Sequence, residues 1–349
     1  MSDTEEELNS LVDLVLGAPR SLTSEEVARG AGVSLDYARK LWRALGFADV
    51  GGAREFTELD RSALRLMVTL LDRGAVDGRT SVDVARSLGQ TTSRLADWQL
   101  DTFTRLLIER GRVDGDNPLS PNSADALRRE FAVLLPAMEK LLIHSWRRQL
   151  AAVLESSLAD APGAGEANDG VLTVGFADLA GFTRLTRRME ESEVAALVER
   201  FESNAADIVA AAGGRLVKTL GDEVMFTCAE ATTALDIAFG LHDVQAADPE
   251  TGRLRIGLAT GPVVSRRGDV FGTTVNLASR LTASARPGTV LVDPQTAIAV
   301  EAEFAATPAG DAAVGVHQRS RVRATPQGPR ILRGLGVVRP VLMSRPSDP

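Results

Sequence analysis

The chain has 349 residues, 44% of them hydrophobic and 25% charged, which is length for about two domains, each able to bury a core. A formal net charge of −8 argues against a dedicated nucleic-acid binder and against electrostatic docking on anionic membranes, since both need basic surface. One cysteine, Cys228, and three dispersed histidines, His144, His242 and His317, exclude a disulfide framework and a Cys- or His-built metal cage and suit a reducing cytosol.

The acidic start MSDTEEELNS predicts no signal peptide, and no apolar run approaches the ~18 residues that span a bilayer, so the expected location is cytoplasmic. Residues 1–157 read as an all-helical domain. Leu8, Leu11, Val12, Leu14 and Val15 make one apolar stripe, and Ser24 is the expected N-cap of a second helix, with Glu25 and Glu26 in its first turn. Leu64, Met67, Val68 and Leu71 mark another helix, as do Leu95, Trp98, Leu100, Phe103, Leu106 and Leu107. A last long helix runs from about Ser123 towards Leu158, with a kink expected at Pro136. Residues 158–170, small, acidic and rich in Ala and Gly, read as a linker.

From 171 onward strands alternate with helices. VLTVGFADL (171–179) is a strand, 191–212 an amphipathic helix, and RLVKTLGDEVMFTC (215–228) a hairpin turning at Gly221-Asp222. A helix over 229–246, a strand over 254–264, a helix over 275–285 and a strand over 289–293 follow. The stretch 305–330 reads as a loop before a last strand near 331–343. The pattern predicts an α+β domain with its sheet covered on one face.

Two carboxylates stand out by context. Asp178 ends the first strand and Asp222 sits at the hairpin turn, so both can converge on a hard cation, which prefers oxygen ligands. Read singly, Asp178 is equally a helix N-cap and Asp222 a turn residue. Between them, Ala180, Gly181, Phe182 and Thr183 offer backbone N–H groups at a helix start, an anion cradle. Asn276 and Arg280, four apart on one helix face, can address a sugar and a phosphate; alone they read as exposed polar residues.

Three motifs in order, FADLAGFT, VKTLGDEVMF and GDVFGTTVNLASRL, carry a resemblance to the catalytic domain of class III nucleotide cyclases, specifically bacterial adenylate cyclases. The resemblance spans about 171 to 342, roughly half of the chain. It implies a ferredoxin-like catalytic domain over 171–349 behind the helical domain, which itself resembles the regulatory domain before some actinobacterial cyclases. It implies two Mg²⁺ or Mn²⁺ ions per site on Asp178, Asp222 and the Leu179 carbonyl. Lys218 would contact adenine N1, Asp269 would accept from the exocyclic amine, Asn276 would orient the ribose and Arg280 would stabilise the transition state. Arg333, in LRGLGVVRP, stands where the family often has a triphosphate-contacting lysine. Related guanylate cyclases typically carry Glu and Cys at the positions of Lys218 and Asp269, so donor and acceptor polarity favours ATP. The family also implies a homodimer with two shared sites. From the residues themselves, LLIHSWRRQLAAVLE (141–155), with an apolar stripe and His144 just before the linker, is the expected control element. The Leu-rich helices over 95–107 and 125–142 could form a pocket for a small-molecule or lipid-like effector, and a proton acting at His144 is the other expected signal.

Rival readings are weaker on the residues. A diguanylate cyclase shares LGDEV with a GGDEF turn, but Leu220 replaces its first glycine and VNLASR has no place there. A P-loop ATPase would need glycine spacing that GGRLVKT lacks. A cyclase domain that only binds nucleotide would not need all six principal positions filled by competent residues. TSEEVARGAGVSLDYARKLWRALGF (23–47) has helix-turn-helix spacing and vaguely resembles MerR-type DNA binders, yet residues 1–100 carry more acidic than basic side chains, so no nucleic-acid partner is expected.

Overall fold

In a computed structural model of the chain, the described residues are 3–115, 117, 120, 123–159, 170–247, 252–266, 268–306 and 322–345. They fall in two compact units, Met1–Ala159 and Asp160–Pro349. His317, residues 160–169 of the expected linker and residues 307–321 of the expected loop lie outside the described residues. Among the described residues no helix is long and apolar enough to cross a membrane.

The described part of the first unit is helical: α1 (Asp3–Leu16), α2 (Ser24–Ala31), α3 (Leu35–Leu45), α4 (Glu58–Asp72), α5 (Gly78–Glu109) and α6 (Ala124–Ala159). Ser24 is not the cap of α2. Thr23 is: its hydroxyl accepts from the Glu26 amide at 3.2 Å while the Glu26 carboxylate accepts from the Thr23 amide at 2.9 Å, satisfying two end groups at once. Ser24 is buried and donates to the Gly51 carbonyl. The turn through Gly32 at φ 79° leads into α3, so α2 and α3 do form a helix-turn-helix, with Val27, Ala38, Leu41, Trp42 and Phe56 as its core. Pro136 lies inside α6, whose second half leaves Leu141, Ile143, Trp146, Leu150 and Val153 exposed.

The second unit runs β1 (Val171–Leu179), α7 (Phe182–Thr186), α8 (Glu191–Ala211), β2 (Arg215–Leu220), β3 (Glu223–Cys228), α9 (Ala231–Ala246), β4 (Leu254–Pro262), β5 (Val264–Arg266), β6 (Asp269–Phe271), α10 (Thr273–Ser284), β7 (Thr289–Val292), α11 (Pro294–Ala306), β8 (Arg323–Pro326), β9 (Arg330–Leu332), β10 (Gly336–Val338) and β11 (Val341–Ser344). Seven strands form one sheet in the order β2-β3-β1-β4-β7-β11-β8, antiparallel except where β4 meets β7.

The sheet is covered on both faces, not one. Alternate side chains decide this. Ala177, Leu179, Val224, Phe226, Ile256 and Leu258 pack beneath α8, α9 and α11, while Val174, Phe176, Met225 and Ala259 pack with Ala278 of α10 on the opposite face. Gly257 permits the second contact, since a Cβ there would stand 2.3 Å from the Thr282 amide nitrogen. α11 and β8 were not expected. PQTAIAVEAEFAA is too uniformly apolar to show a stripe, and RATP carries a proline that only an edge strand accommodates. The expected last strand over 331–343 is the β9–β10 hairpin plus the start of β11.

Candidate active site

The end of β1 gathers the carboxylates. In the sheet register Asp178 faces Glu223 of β3 on one side and Arg255 of β4 on the other. The Leu179 amide donates to the Asp222 carbonyl at 3.0 Å, tying the β2–β3 turn to the end of β1, and the Leu179 side chain is buried in the core. Asp178 and Asp222, 44 residues apart in sequence, thereby meet. Val174 and Phe176 belong to the α10 face, so Asp178, two residues further along the strand, projects on that face too.

The electrostatics of this end are those of a region short of positive charge. Burial pushes the Asp178 carboxyl above its ordinary value; Arg255, which donates to it in an ion pair, opposes that shift, and Asp222 reinforces it. Burial likewise raises the Glu223 carboxyl, followed by the charges of Asp178 and Asp222. Among the described residues no three His, Cys, Asp or Glu side chains converge closely enough to hold a metal ion on their own. Two half-buried carboxylates with one compensating guanidinium fit a divalent cation whose other ligands come from backbone, water and substrate oxygens. Sequence reading missed Arg255 and Glu223. Glu223 was in view beside Asp222, but only the register sets either residue against Asp178.

The anion cradle is smaller than expected. Ala180 contributes no free N–H, because it donates to the Arg253 carbonyl at 2.9 Å. Gly181 adopts φ 83°, a left-handed conformation that suits glycine, and starts the single-turn α7, with Phe182 packed against the core. Gly181, Phe182 and Thr183 therefore remain as the turn beside Asp178.

Lys218 and Asp269 meet directly. Lys218 Nζ donates to Asp269 Oδ2 at 2.7 Å, each side chain about one-third exposed. The β2–β3 register shifts between Leu216 and Lys218, which sets Lys218 opposite Met225, a residue of the α10 face. Burial works to raise the Asp269 carboxyl, but the hydrogen bonds from Lys218 and from the Val270 amide at 2.8 Å prevail and hold it below its ordinary value.

Asn276 and Arg280 are exposed on α10, whose inner side is pinned by buried Ala278, Leu281 and Thr282, with the Thr282 hydroxyl donating to the Phe176 carbonyl at 3.2 Å. Arg333 is exposed in the turn of the β9–β10 hairpin. No described hydrogen bond or ion pair joins these three to Asp178, Asp222, Lys218 or Asp269 within the chain. The structure thus presents two assembled clusters and three outlying polar residues.

Residues 166–323 match the adenylate and guanylate cyclase catalytic domain family. The chain is 46% identical to an adenylate cyclase of Streptomyces coelicolor over 96% of its own length and 89% of that protein's. It is 42% identical to an adenylate cyclase of Streptomyces griseus, over 95% of its length and 87% of the relative's. A crystal structure of the adenylyl cyclase CyaB from P. aeruginosa shares 20% identity at a TM-score of 0.40, covering 51% of this chain and 97% of that one.

Proposed function

The chain belongs to the class III adenylate cyclases, and on that footing we propose that it converts ATP to 3′,5′-cyclic AMP and pyrophosphate at sites shared by two copies of the chain. The observation that carries the reading is the assembly, from four separate strands or turns, of Asp178 with Asp222 and of Lys218 with Asp269.

Asp178, Asp222 and the Leu179 carbonyl would hold Mg²⁺ or Mn²⁺. Bound there, two divalent ions supply Lewis-acid activation of the 3′-hydroxyl and charge neutralisation for the triphosphate. The remaining work falls to the chain. Lys218 has only protons to offer and matches the unprotonated N1 of adenine; Asp269 has only lone pairs and matches the exocyclic amine. Asn276 holds the ribose, so that the 3′-hydroxyl stays near the α-phosphorus and little orientational freedom is left to lose. Arg280 meets the charge that accumulates on the α-phosphate oxygens as the bond to pyrophosphate lengthens, which makes its help greatest in the transition state. Arg333, with the turn at Gly181, Phe182 and Thr183, faces the triphosphate. The guanidinium keeps the charge of a lysine and adds a planar fork suited to phosphate.

The homodimer is supported by what one chain leaves open. Asn276 and Arg280 are exposed, as are two directly opposed apolar pairs, Val264 with Phe271 and Ile331 with Val337, on the two small hairpins. A second copy would cover such pairs and bring Asn276 and Arg280 to the partner's aspartates. The domain assignment we propose is 1–157 regulatory, 158–170 linker and 171–349 catalytic. The regulatory domain takes a small-molecule, lipid-like or proton signal, and the exposed apolar row of α6 is the feature suited to carry it. Duplex DNA is not among the proposed partners, because α3 sets Asp36 beside Lys40 and Arg43, with Asp49 exposed close by in sequence. The free Cys228 thiol suits a reducing cytoplasm.

The test is incubation of the protein with ATP or GTP and Mn²⁺ or Mg²⁺, with product identification. Cyclic AMP from ATP is the expected result. Absence of any cyclic product, or a preference for GTP, would overturn the assignment.

A further inference from the structure

Glu223 follows Asp222 and stands directly opposite Asp178 in the β1–β3 register, so the two carboxylates leave the sheet on one face. Like charges at directly opposed positions disfavour a sheet, and partial burial adds to the cost. Arg255 and Lys218 relieve it only in part, being engaged as ion-pair partners of Asp178 and Asp269 respectively. Among the described residues the Glu223 carboxylate makes no hydrogen bond and no ion pair, although its backbone lies in the sheet. With Lys218 balanced by Asp269, ionised Asp178, Asp222 and Glu223 set three negative charges against the guanidinium of Arg255. The residual charge is that of one divalent cation with the sign reversed. Yet the three side chains do not converge as a three-ligand metal site, so Glu223 has a different part from Asp178 and Asp222.

We propose that Glu223 is a positioning residue of the cation site: its charge, not ligation, strengthens divalent-cation binding at Asp178 and Asp222 and favours release of Asp178 from Arg255. The inference rests on the reading of Asp178 and Asp222 as the cation ligands. Its physical basis is that a charge a few ångströms from a half-buried cation is only partly screened. Residues just outside the ligand set typically change metal affinity by ~10–100-fold.

The experiment titrates the nucleotide-free, full-length protein with Mn²⁺ alone and follows free Mn²⁺ by electron paramagnetic resonance. Glu223→Gln, which keeps the shape and removes the charge, is expected to weaken Mn²⁺ binding by about tenfold, with half-saturating Mn²⁺ in turnover rising by the same factor. Glu223→Asp, which keeps the charge, is expected to retain most of the affinity. If the Gln variant does not fold, Glu223→Thr serves as the uncharged form. Unchanged Mn²⁺ affinity in the uncharged variant overturns the proposal, as does an Asp variant no better than the uncharged one. Asp178→Asn is titrated in parallel. Wild-type Mn²⁺ binding by Asp178→Asn removes the cation-ligand reading and this inference with it, whereas loss of binding there with none in the uncharged Glu223 variant removes this inference alone.

Discussion

Lys218 Nζ and Asp269 Oδ2, 51 residues apart in sequence, stand 2.7 Å from each other across β2 and β6. The two groups proposed to read N1 and the exocyclic amine, neighbours on one edge of adenine, thus satisfy one another within the chain. The pair keeps a donor and an acceptor side by side at one place and leaves neither unsatisfied before substrate enters. If the two groups read the base as proposed, ATP has to open the pair, and adenine then offers each group a replacement partner.

Base selection should therefore fail when the polarity of this pair is lost. Lys218→Glu with Asp269→Cys is expected to lower the ratio of kcat/KM for ATP over GTP by at least ~100-fold, because adenine would leave unpaired groups in the pocket. Competition assays with both nucleotides measure this. An unchanged ratio would assign base reading to other residues.

The proposed sharing of sites makes a complementation prediction. Asp178→Ala, Asp222→Ala and Arg280→Ala should each retain the fold by circular dichroism. The two aspartate variants should be nearly inactive, and Arg280→Ala should lose on the order of 10²–10³ in rate, the scale of one transition-state donor. Equal mixing of Asp178→Ala and Arg280→Ala chains should then restore about a quarter of wild-type activity, since about half of randomly assembled dimers are mixed and each has one intact site. No recovery after demonstrated subunit exchange would contradict the shared arrangement.

The raised Glu223 carboxyl carries a stability consequence. The folded chain holds that proton more tightly than the unfolded chain, whose group titrates near 4.5. Metal-free stability from this group is therefore whole below that value and declines as pH rises through the raised folded one. Glu223→Gln removes the decline. Its Tm without metal should match wild type near pH 4 and exceed it near pH 7.5 by on the order of 2 °C, a small shift because the group is partly solvated. A variant less stable than wild type at pH 7.5 would show that another interaction of Glu223 dominates.

Control by the helical unit is tested by comparing residues 165–349 with the full chain from pH 5.5 to 8. The full chain is expected to differ in rate. In the full chain, Trp146→Glu with Leu150→Glu should shift activity toward that of the fragment by making the exposed row polar. Identical rates and pH profiles at equal dimer occupancy would remove the regulatory role.

Local sequence determined most of the elements and all three motifs. VLTVGFADL is a strand because its residues are β-branched or apolar on both faces, and Gly221-Asp222 turns the next hairpin because glycine accepts φ 68° there. The same information placed Asp178 at a strand end and Asp222 in a turn. What it could not contain is which strands lie side by side. Hydrogen-bonded register alone sets Asp178 between Glu223 and Arg255, and the bulge before Lys218 lets that side chain reach Asp269. Packing alone brings α10 onto the second face of the sheet over Gly257, and a tertiary hydrogen bond withdraws the Ala180 amide from the expected cradle. Periodicity within a window reports which face of an element is apolar. The partner opposite each residue depends on chain reversals dozens of residues away, and the charge balance of the site depends on those partners.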